Sequence, residues 1–333
     1  MTTQNDFQNK SVLVTGAGGF IGSHLVEALL ERSAEVRAFV HYNSRNDWGF
    51  LEKLSTDKKD NINLISADLR DYHAVQQATK RVDIVFHLGA LIGIPYSIAF
   101  PNDVVETNII GTLNILKASL NSNVSKIIHT STSEVYGTAQ YTPIDENHPL
   151  NPQSPYAATK VATDKLAESF YRSYGLPISI LRPFNTFGPR QSLRAIIPTI
   201  IAQLLQSQKV IVGNLKPSRD FTFVSDTVSG FIMLAKKKGV EGDTFNLGTG
   251  KDITIKELIS LISKLIGLMA KIEVDERRIR GNKSEVMQLI SNNSKARNIL
   301  DWQPKYTLEE GLRATIDWMK ETKQFGKSEI YNI

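Results

Sequence analysis

Two residues of the stretch SPYAATK, Tyr156 and Lys160, are of types that could move a proton. On a helix their four-residue spacing puts both side chains on one face. A neighbouring ammonium favours the phenolate, so the tyrosine can act as acid or base near neutral pH. A second group lies upstream in HTSTSEVYG, where Thr132, Ser133 and Glu134 follow the apolar run VSKIIH. Hydroxyls beside an acid commonly mark a strand-to-loop turn. They are also a set of proton-transfer and hydrogen-bonding groups, and the triplet alone admits both readings. The third group is VTGAGGFIGSHL, with Gly16, Gly19 and Gly22 spaced GxxGxxG. The first glycine permits a tight turn, the second lets a pyrophosphate approach the backbone, and the third lets a helix pack close to the strand. The helix that follows points its free N–H groups and positive dipole end at the phosphate.

The end of the second strand distinguishes NAD from NADP, because an acid there would bind the ribose 2′-OH and repel a 2′-phosphate. This chain reads FVHYNSRNDW, so His41, Asn43, Ser44 and Arg45 stand there and no acid precedes Asp47. Arg45 either pairs with a 2′-phosphate or faces solvent. The residue types lean to NADP. Asp68 in SADLRD either accepts from an adenine amino group or caps a helix. His24, His87 and His129 have no metal-ligand spacing and read as structural, so no metal is expected.

These groups need a scaffold. Strand-like runs occur at Ser11–Thr15, Glu35–Val40, Asn63–Ser66, Asp83–His87, Lys126–Thr130 and Ile178–Leu181. Segments with helical spacing lie between most of them, at Ile21–Arg32, Val104–Leu120 and Tyr156–Tyr174. Strand and helix in alternation imply a parallel sheet covered on both faces. After Arg182 prolines punctuate the chain. Helical segments near Ile197–Gln206, Thr254–Ile266 and Thr307–Lys320 mix with short strands, which suggests a smaller domain for a second ligand. The expected division is 1–182 and 183–333, with some later segments returning to the first sheet.

The 333 residues suffice for two such parts. With no cysteine, disulfides, thiol catalysis and Cys-based zinc sites are excluded. The net charge of +5 is scattered, and its longest cluster, Lys236 to Lys238, reads as a solvated helix end rather than a nucleic-acid patch. No apolar run approaches the roughly 20 residues of a membrane span. The first ten residues lack a signal-peptide pattern, so a cytoplasmic protein is expected.

Taken together, TGAGGFIG, ADLRD, FHLGA, TNIIGTLNIL, STSEVYG, YAATK, RPFNTFGPRQ and RDFTFVSD resemble the extended short-chain dehydrogenase/reductases of the nucleotide-sugar epimerase and dehydratase class. They span nearly the whole chain. One departure is Gly89 in HLGA, where the family often has Ala. The resemblance implies an α/β fold, with a Rossmann-type doubly wound parallel sheet and a smaller C-terminal α/β substrate-binding domain. It implies a tightly bound, recycled NAD or NADP. Phe20, Ile21, Leu69, Leu88 and Ala90 would lie along that cofactor, and Lys160 would also hold its ribose.

The family's sugar 4,6-dehydratases carry an acid in the position of Glu134, which simple 4-epimerases usually lack. Thr132-Ser133-Glu134 is similar to the triplet of GDP-mannose 4,6-dehydratases and of UDP-glucuronate decarboxylases. The resemblance therefore implies Tyr156 as the C4 acid–base group, Thr132 bonding the C4 oxygen, and Glu134 with Ser133 eliminating water across C5 and C6. Asn185, Arg194, Arg219, Arg280 and Glu285 would bind the nucleotide sugar. VRAFVHYNSRNDWGFLE, PIDENHPLNPQSPYAATK and RPFNTFGPRQSLRAIIPTIIAQLL further resemble the GDP-N-acetylglucosamine 4,6-dehydratases of bacterial legionaminic acid synthesis. Alternatives on the same scaffold are a 4-epimerase and a UDP-glucuronate decarboxylase. The family also implies a homodimer that pairs Val104–Leu120 and Tyr156–Tyr174 in a four-helix interface, and no nucleic-acid or membrane partner.

Overall fold

The computed structural model describes residues 5–279, 281 and 284–326. In chain order the early strands are β1 (Ser11–Thr15), β2 (Glu35–His41), β3 (Ile62–Ala67), β4 (Ile84–His87), β5 (Lys126–Thr130) and β6 (Ile178–Pro183). Then come β7 (Asn185–Phe187), β8 (Lys209–Val212), β9 (Ser218–Phe223), β10 (Thr244–Leu247), β11 (Asp252–Thr254), β12 (Lys271–Val274) and β13 (Gln288–Leu289). The chain divides into two compact units. One comprises Met1–Thr132, Ser154–Arg182 and Val228–Phe245, the other Ser133–Gln153, Pro183–Thr227 and Asn246–Ile333. A division at 182/183 is thus one of several, and residues 133–153 group with the second unit.

The first unit is built on a seven-stranded sheet in the order β10-β6-β5-β4-β1-β2-β3. From β3 through β6 the neighbours run parallel. The sequences IVFH, KIIHT and ISILRP are buried along almost their whole length, as strands covered on both faces must be. Strand order reverses around β1, which lies between β2 and β4. In such a sheet the crevice for a ligand opens beyond the carboxyl ends of the strands at that reversal.

Local chemistry sets the helix ends. The helix Phe20–Leu30 starts at Gly19, which offers no side-chain cap, so its first N–H groups are left to a ligand or water. The helix Tyr72–Thr79 is capped by Asp71, which accepts from the His73 and Ala74 amides. Asp68 therefore does not cap it. Ser154 accepts from Ala157 N to start the helix Pro155–Tyr174, and Gly175 at φ 67° ends it. The expected helix Val104–Leu120 is broken in its pitch: Pro101–Val105 leads into a π-helical turn at Glu106–Ile110, then Gly111–Asn121. The wide turn swings Asn108 inward, where it is bonded away from its own helix.

In the second unit β9 is the organising strand. It pairs antiparallel with β11 and parallel with β7 and β13. β8 and β12 form a separate parallel pair. Buried Asp220 on β9 receives the amides of Thr249, Gly250 and Ser291, tying two loops to the strand. Asp226 likewise receives the amides of Lys305 and Tyr306. Thr254 and Thr307 each begin a helix with a reciprocal capping box, so both sit one residue outside the helices expected to start there. Among the described residues no helix is long and apolar enough to cross a membrane.

Candidate active site

At the strand-order reversal the glycines do what their spacing demands. Gly16 has φ 68°, which favours glycine, and a Cβ on it would stand 3.0 Å from Gly89 Cα. A Cβ on Gly22 would overlap the Gly16 carbonyl oxygen. Gly89 also explains itself: a Cβ there would meet Leu69 Cδ1 at 2.7 Å, so the buried Leu69 side chain fills the space an alanine would need. The result is a turn with no side chain over it, opening on an uncapped helix, and it fits a dinucleotide pyrophosphate.

Beneath that turn lies a fully bonded polar chain. Thr15 Oγ1 accepts from Leu88 N at 3.1 Å and Gly89 N at 3.0 Å, so its hydrogen goes to His87 Nδ1 at 2.8 Å. The imidazole proton is then on Nε2, 2.9 Å from Thr112 Oγ1. Burial holds His87 well below its ordinary pKa, so the ring is neutral. The expected structural role of His87 is what this geometry describes. Among the described residues no cluster of His, Asp and Glu could hold a metal ion.

The loop after β2 closes against the glycine turn. Phe50 N donates to Gly18 O at 2.9 Å; a Cβ on Gly49 would overlap Gly18 O, and one on Gly18 would overlap Trp48 O. Asn43 Oδ1 accepts from the amides of Arg45 and Asp47, which shapes the loop. The Arg45 side chain is 83% exposed and 4.0 Å from Asp47, and His41 and Ser44 are exposed. Asp68 is engaged by the Arg70 guanidinium at 2.6 Å, which holds its carboxyl below the usual range.

Tyr156 and Lys160 are both buried on the helix Pro155–Tyr174. Burial pulls Lys160 down to about 8, while the charge of Asp164 works against that fall. Asn108 was not singled out in the sequence. Its side chain bonds both main-chain groups of Leu91, beyond β4, and Thr159 Oγ1 at 2.9 Å, between Tyr156 and Lys160 in the chain. Thr132 ends the first unit, partly exposed, just past β5.

The second unit opens with a 3-10 turn at Ser133–Tyr136, in which Ser133 is buried and Glu134 partly exposed. Its segment is pinned: Asn151 N donates to Val135 O, Thr138 N to Gln153 Oε1, and Tyr136 Oη to Asn246 Oδ1. The unit brings Arg219 and Glu285 to 4.0 Å, both largely buried. Asn185 keeps a buried Oδ1 with no hydrogen-bond partner, an acceptor that awaits a donor. Arg194 is exposed, and Arg280 lies outside the described residues.

A sequence-family profile described as GDP-mannose 4,6 dehydratase matches residues 13–315. The chain belongs to that family, the nucleotide-sugar dehydratases and epimerases among the extended short-chain dehydrogenase/reductases. It is 31% identical to a human dTDP-D-glucose 4,6-dehydratase, over 94% of this chain and 90% of that one. It is also similar to the UDP-glucose 4-epimerase of Thermotoga maritima, solved with UDP-glucose, at 30% identity and TM-score 0.85 over 94% and all of the two chains. The dTDP-glucose 4,6-dehydratase of Streptomyces venezuelae, solved with NAD, gives 27% and 0.85 over 95% and 99%. Dehydratases and epimerases of the family thus match this chain alike.

The Lys160 shift makes a prediction for stability. Its folded value, about 8, lies below the ordinary 10.5, so the folded state binds fewer protons between those values. The full burial penalty is present below pH 8 and is relieved as pH rises toward 10.5. Measured by urea unfolding, the stability of wild type relative to Lys160→Met should be flat below pH 8 and improve by roughly 3 kcal/mol toward pH 10.5. No dependence would show that Lys160 is not a buried cation.

Proposed function

We propose that this family member is a nucleotide-sugar 4,6-dehydratase, with GDP-N-acetylglucosamine as its substrate. The observation that carries the reading is the triplet immediately after β5, with Thr132 and Glu134 partly exposed and Ser133 buried. A 4-epimerase needs the tyrosine and lysine but has no elimination for Glu134 to perform. When bound, a nicotinamide dinucleotide supplies hydride acceptance at C4 and hydride return at C6. The chain's own groups handle the protons. Tyr156 takes the C4 hydroxyl proton, with Lys160 stabilising the phenolate and Thr132 bonding the C4 oxygen. The C4 ketone acidifies the C5 proton, which Glu134 removes. The C6 hydroxyl departs as water, protonated by Glu134 or through Ser133. Two protons are released, from the C4 hydroxyl and C5, and two are consumed, by the leaving hydroxide and by C5.

For the substrate, the unpartnered Asn185 Oδ1 accepts from the sugar or its linkage. Arg219 and Arg280 neutralise the diphosphate, Arg194 adds positive charge from the surface, and Glu285 accepts from the ribose hydroxyls. The second reading is a 4-epimerase, because epimerases of known structure match this chain as well as dehydratases do.

Mass spectrometry separates these readings. The protein is incubated with GDP-N-acetylglucosamine, GDP-mannose, UDP-N-acetylglucosamine or UDP-glucuronate. Loss of one water from the first is expected. An unchanged mass with a new C4 configuration would make the protein an epimerase, and loss of carbon dioxide from the last a decarboxylase. Glu134→Gln should still bind the dinucleotide and oxidise C4, yet lose water formation by at least about 100-fold. Undiminished elimination would remove Glu134 from the chemistry.

The loop after β2 supports NADP as the preferred dinucleotide, since it presents Arg45 and no acid at the strand end. Calorimetric titration should show tighter binding of NADP than NAD, with the preference lost in Arg45→Ala. Equal affinities in wild type would refute it.

A homodimer is the proposed assembly. Phe100, Val105 and Ile110 are exposed along the π-kinked helix, as are Tyr171 and Tyr174 on the tyrosine–lysine helix. Light scattering at micromolar concentration should give twice the 37.1 kDa chain mass, and a monomer would rule the interface out.

A further inference from the structure

One buried carboxylate has no part in the chemistry proposed above. Asp164 follows Lys160 by one helical turn and is fully buried. Its Oδ2 accepts from Ser131 Oγ at 2.8 Å and from Arg182 Nε at 3.1 Å and Nη2 at 2.9 Å. Its Oδ1 takes no hydrogen bond and faces His129 Nε2 at 3.4 Å. The Thr163 hydroxyl donates to Lys160 O, so it accepts from His129 Nε2 at 3.2 Å, which leaves His129 Nδ1 a bare lone pair. Burial keeps His129 below its ordinary value, hence neutral.

The groups that act on Lys160 or that it acts on are Asp164 on its own helix, His87 from β4 and His129 from β5, with Tyr156 one turn before it and Arg182 from β6 paired to Asp164. Both imidazoles are neutral, so two cations, Lys160 and Arg182, share one anion. A guanidinium does not give up its proton in a protein. If the carboxylate were absent, the interior would shed charge through the only cation able to deprotonate, Lys160.

We propose that Asp164 is a positioning residue: its carboxylate holds the Lys160 ammonium in its charged form and ties the tyrosine–lysine helix to Ser131, next to Thr132, and to Arg182 at the end of β6. The catalytic consequence rests on the reading of Tyr156 and Lys160 as the acid–base pair. The state with phenolate and ammonium is favoured over the neutral pair because a buried anion stands one helical turn from the lysine.

The test follows Lys160 itself. Full-length protein carrying 13C at the lysine ε-carbons is titrated by NMR, with Lys160→Met assigning the signal. Wild type should titrate at about 8. In Asp164→Asn the midpoint should fall by about one unit or more, and in Ser131→Ala, which keeps the charge, it should stay. Asp164→Asn leaves a guanidinium uncompensated, so the double variant D164N/R182Q guards against misfolding; because it removes a cation together with the anion, its midpoint should fall less than that of D164N and should not rise. A folded D164N whose Lys160 midpoint is unchanged, or a double variant whose midpoint rises, would overturn the proposal. Turnover of Lys160→Met reports separately on the acid–base reading: if it turns over normally, Lys160 is not catalytic, whatever the titration shows.

Discussion

An ammonium buried in a parallel α/β sheet is costly unless its surroundings compensate it, and much of the first unit is arranged around that constraint. Lys160 lies on a helix whose Ala167 and Phe170 share a core cluster with Ile127, Ile178 and Ile180 of β5 and β6, strands buried along nearly their whole length. The neighbouring polar groups divide into neutral ones with assigned tautomers, His87 and His129, and one anion, Asp164. Breaking a buried pair by removing one partner costs about 3–5 kcal/mol, whereas a surface pair contributes at most about 1 kcal/mol. Arg70 with Asp68 and Lys58 with Glu27 belong to the second kind, and Arg182 with Asp164 to the first.

The glycine cradle and the tyrosine–lysine helix were readable because each is a local pattern. Three glycines at fixed spacing need only a strand before them and a helix after. Ser154, Pro155 and Gly175 mark their helix by cap chemistry alone. Asn108 was hidden, because Val104–Leu120 reads as one unbroken helix with Val105, Ile109, Leu113 and Leu116 on its apolar face. What distinguishes it is a π-helical turn and partners 17 and 51 residues away, Leu91 and Thr159. Asp164 was hidden for the opposite reason. Its four-residue offset from Lys160 was visible, but an acid on a helix is usually a solvated one, and only the burial of Ser131, Arg182 and His129 shows otherwise.

The second unit was legible as helices and far less as strands. Thr254 and Thr307 announce their helices through capping boxes. Strands of two to four residues carry no periodicity of their own. They are held by single buried acids: Asp220 gathers two loops onto β9, next to Arg219 in the chain, and Asp226 gathers a third. A motif such as RDFTFVSD therefore holds two kinds of residue in succession. Arg219, which donates to Ser218 O and lies 4.0 Å from Glu285, is the one proposed to meet the diphosphate, and Asp220 is committed to backbone amides.

That alternation bears on the triplet after β5. Past the end of β5 burial differs from one residue to the next: Ser131 and Ser133 are buried, Thr132 and, in the 3-10 turn, Glu134 partly exposed. Ser131 spends its hydroxyl on Asp164. The acid at 134 thus shares the partial exposure of Thr132 and not the burial of Ser131 and Ser133. A carboxylate that served only to end a strand would do so equally well as a turn-forming Asp or Asn bonded to its own backbone, as Asp71 and Asn43 are. A glutamate has the longer reach, and that reach is part of the ground for the proposal that Glu134 acts on a bound sugar.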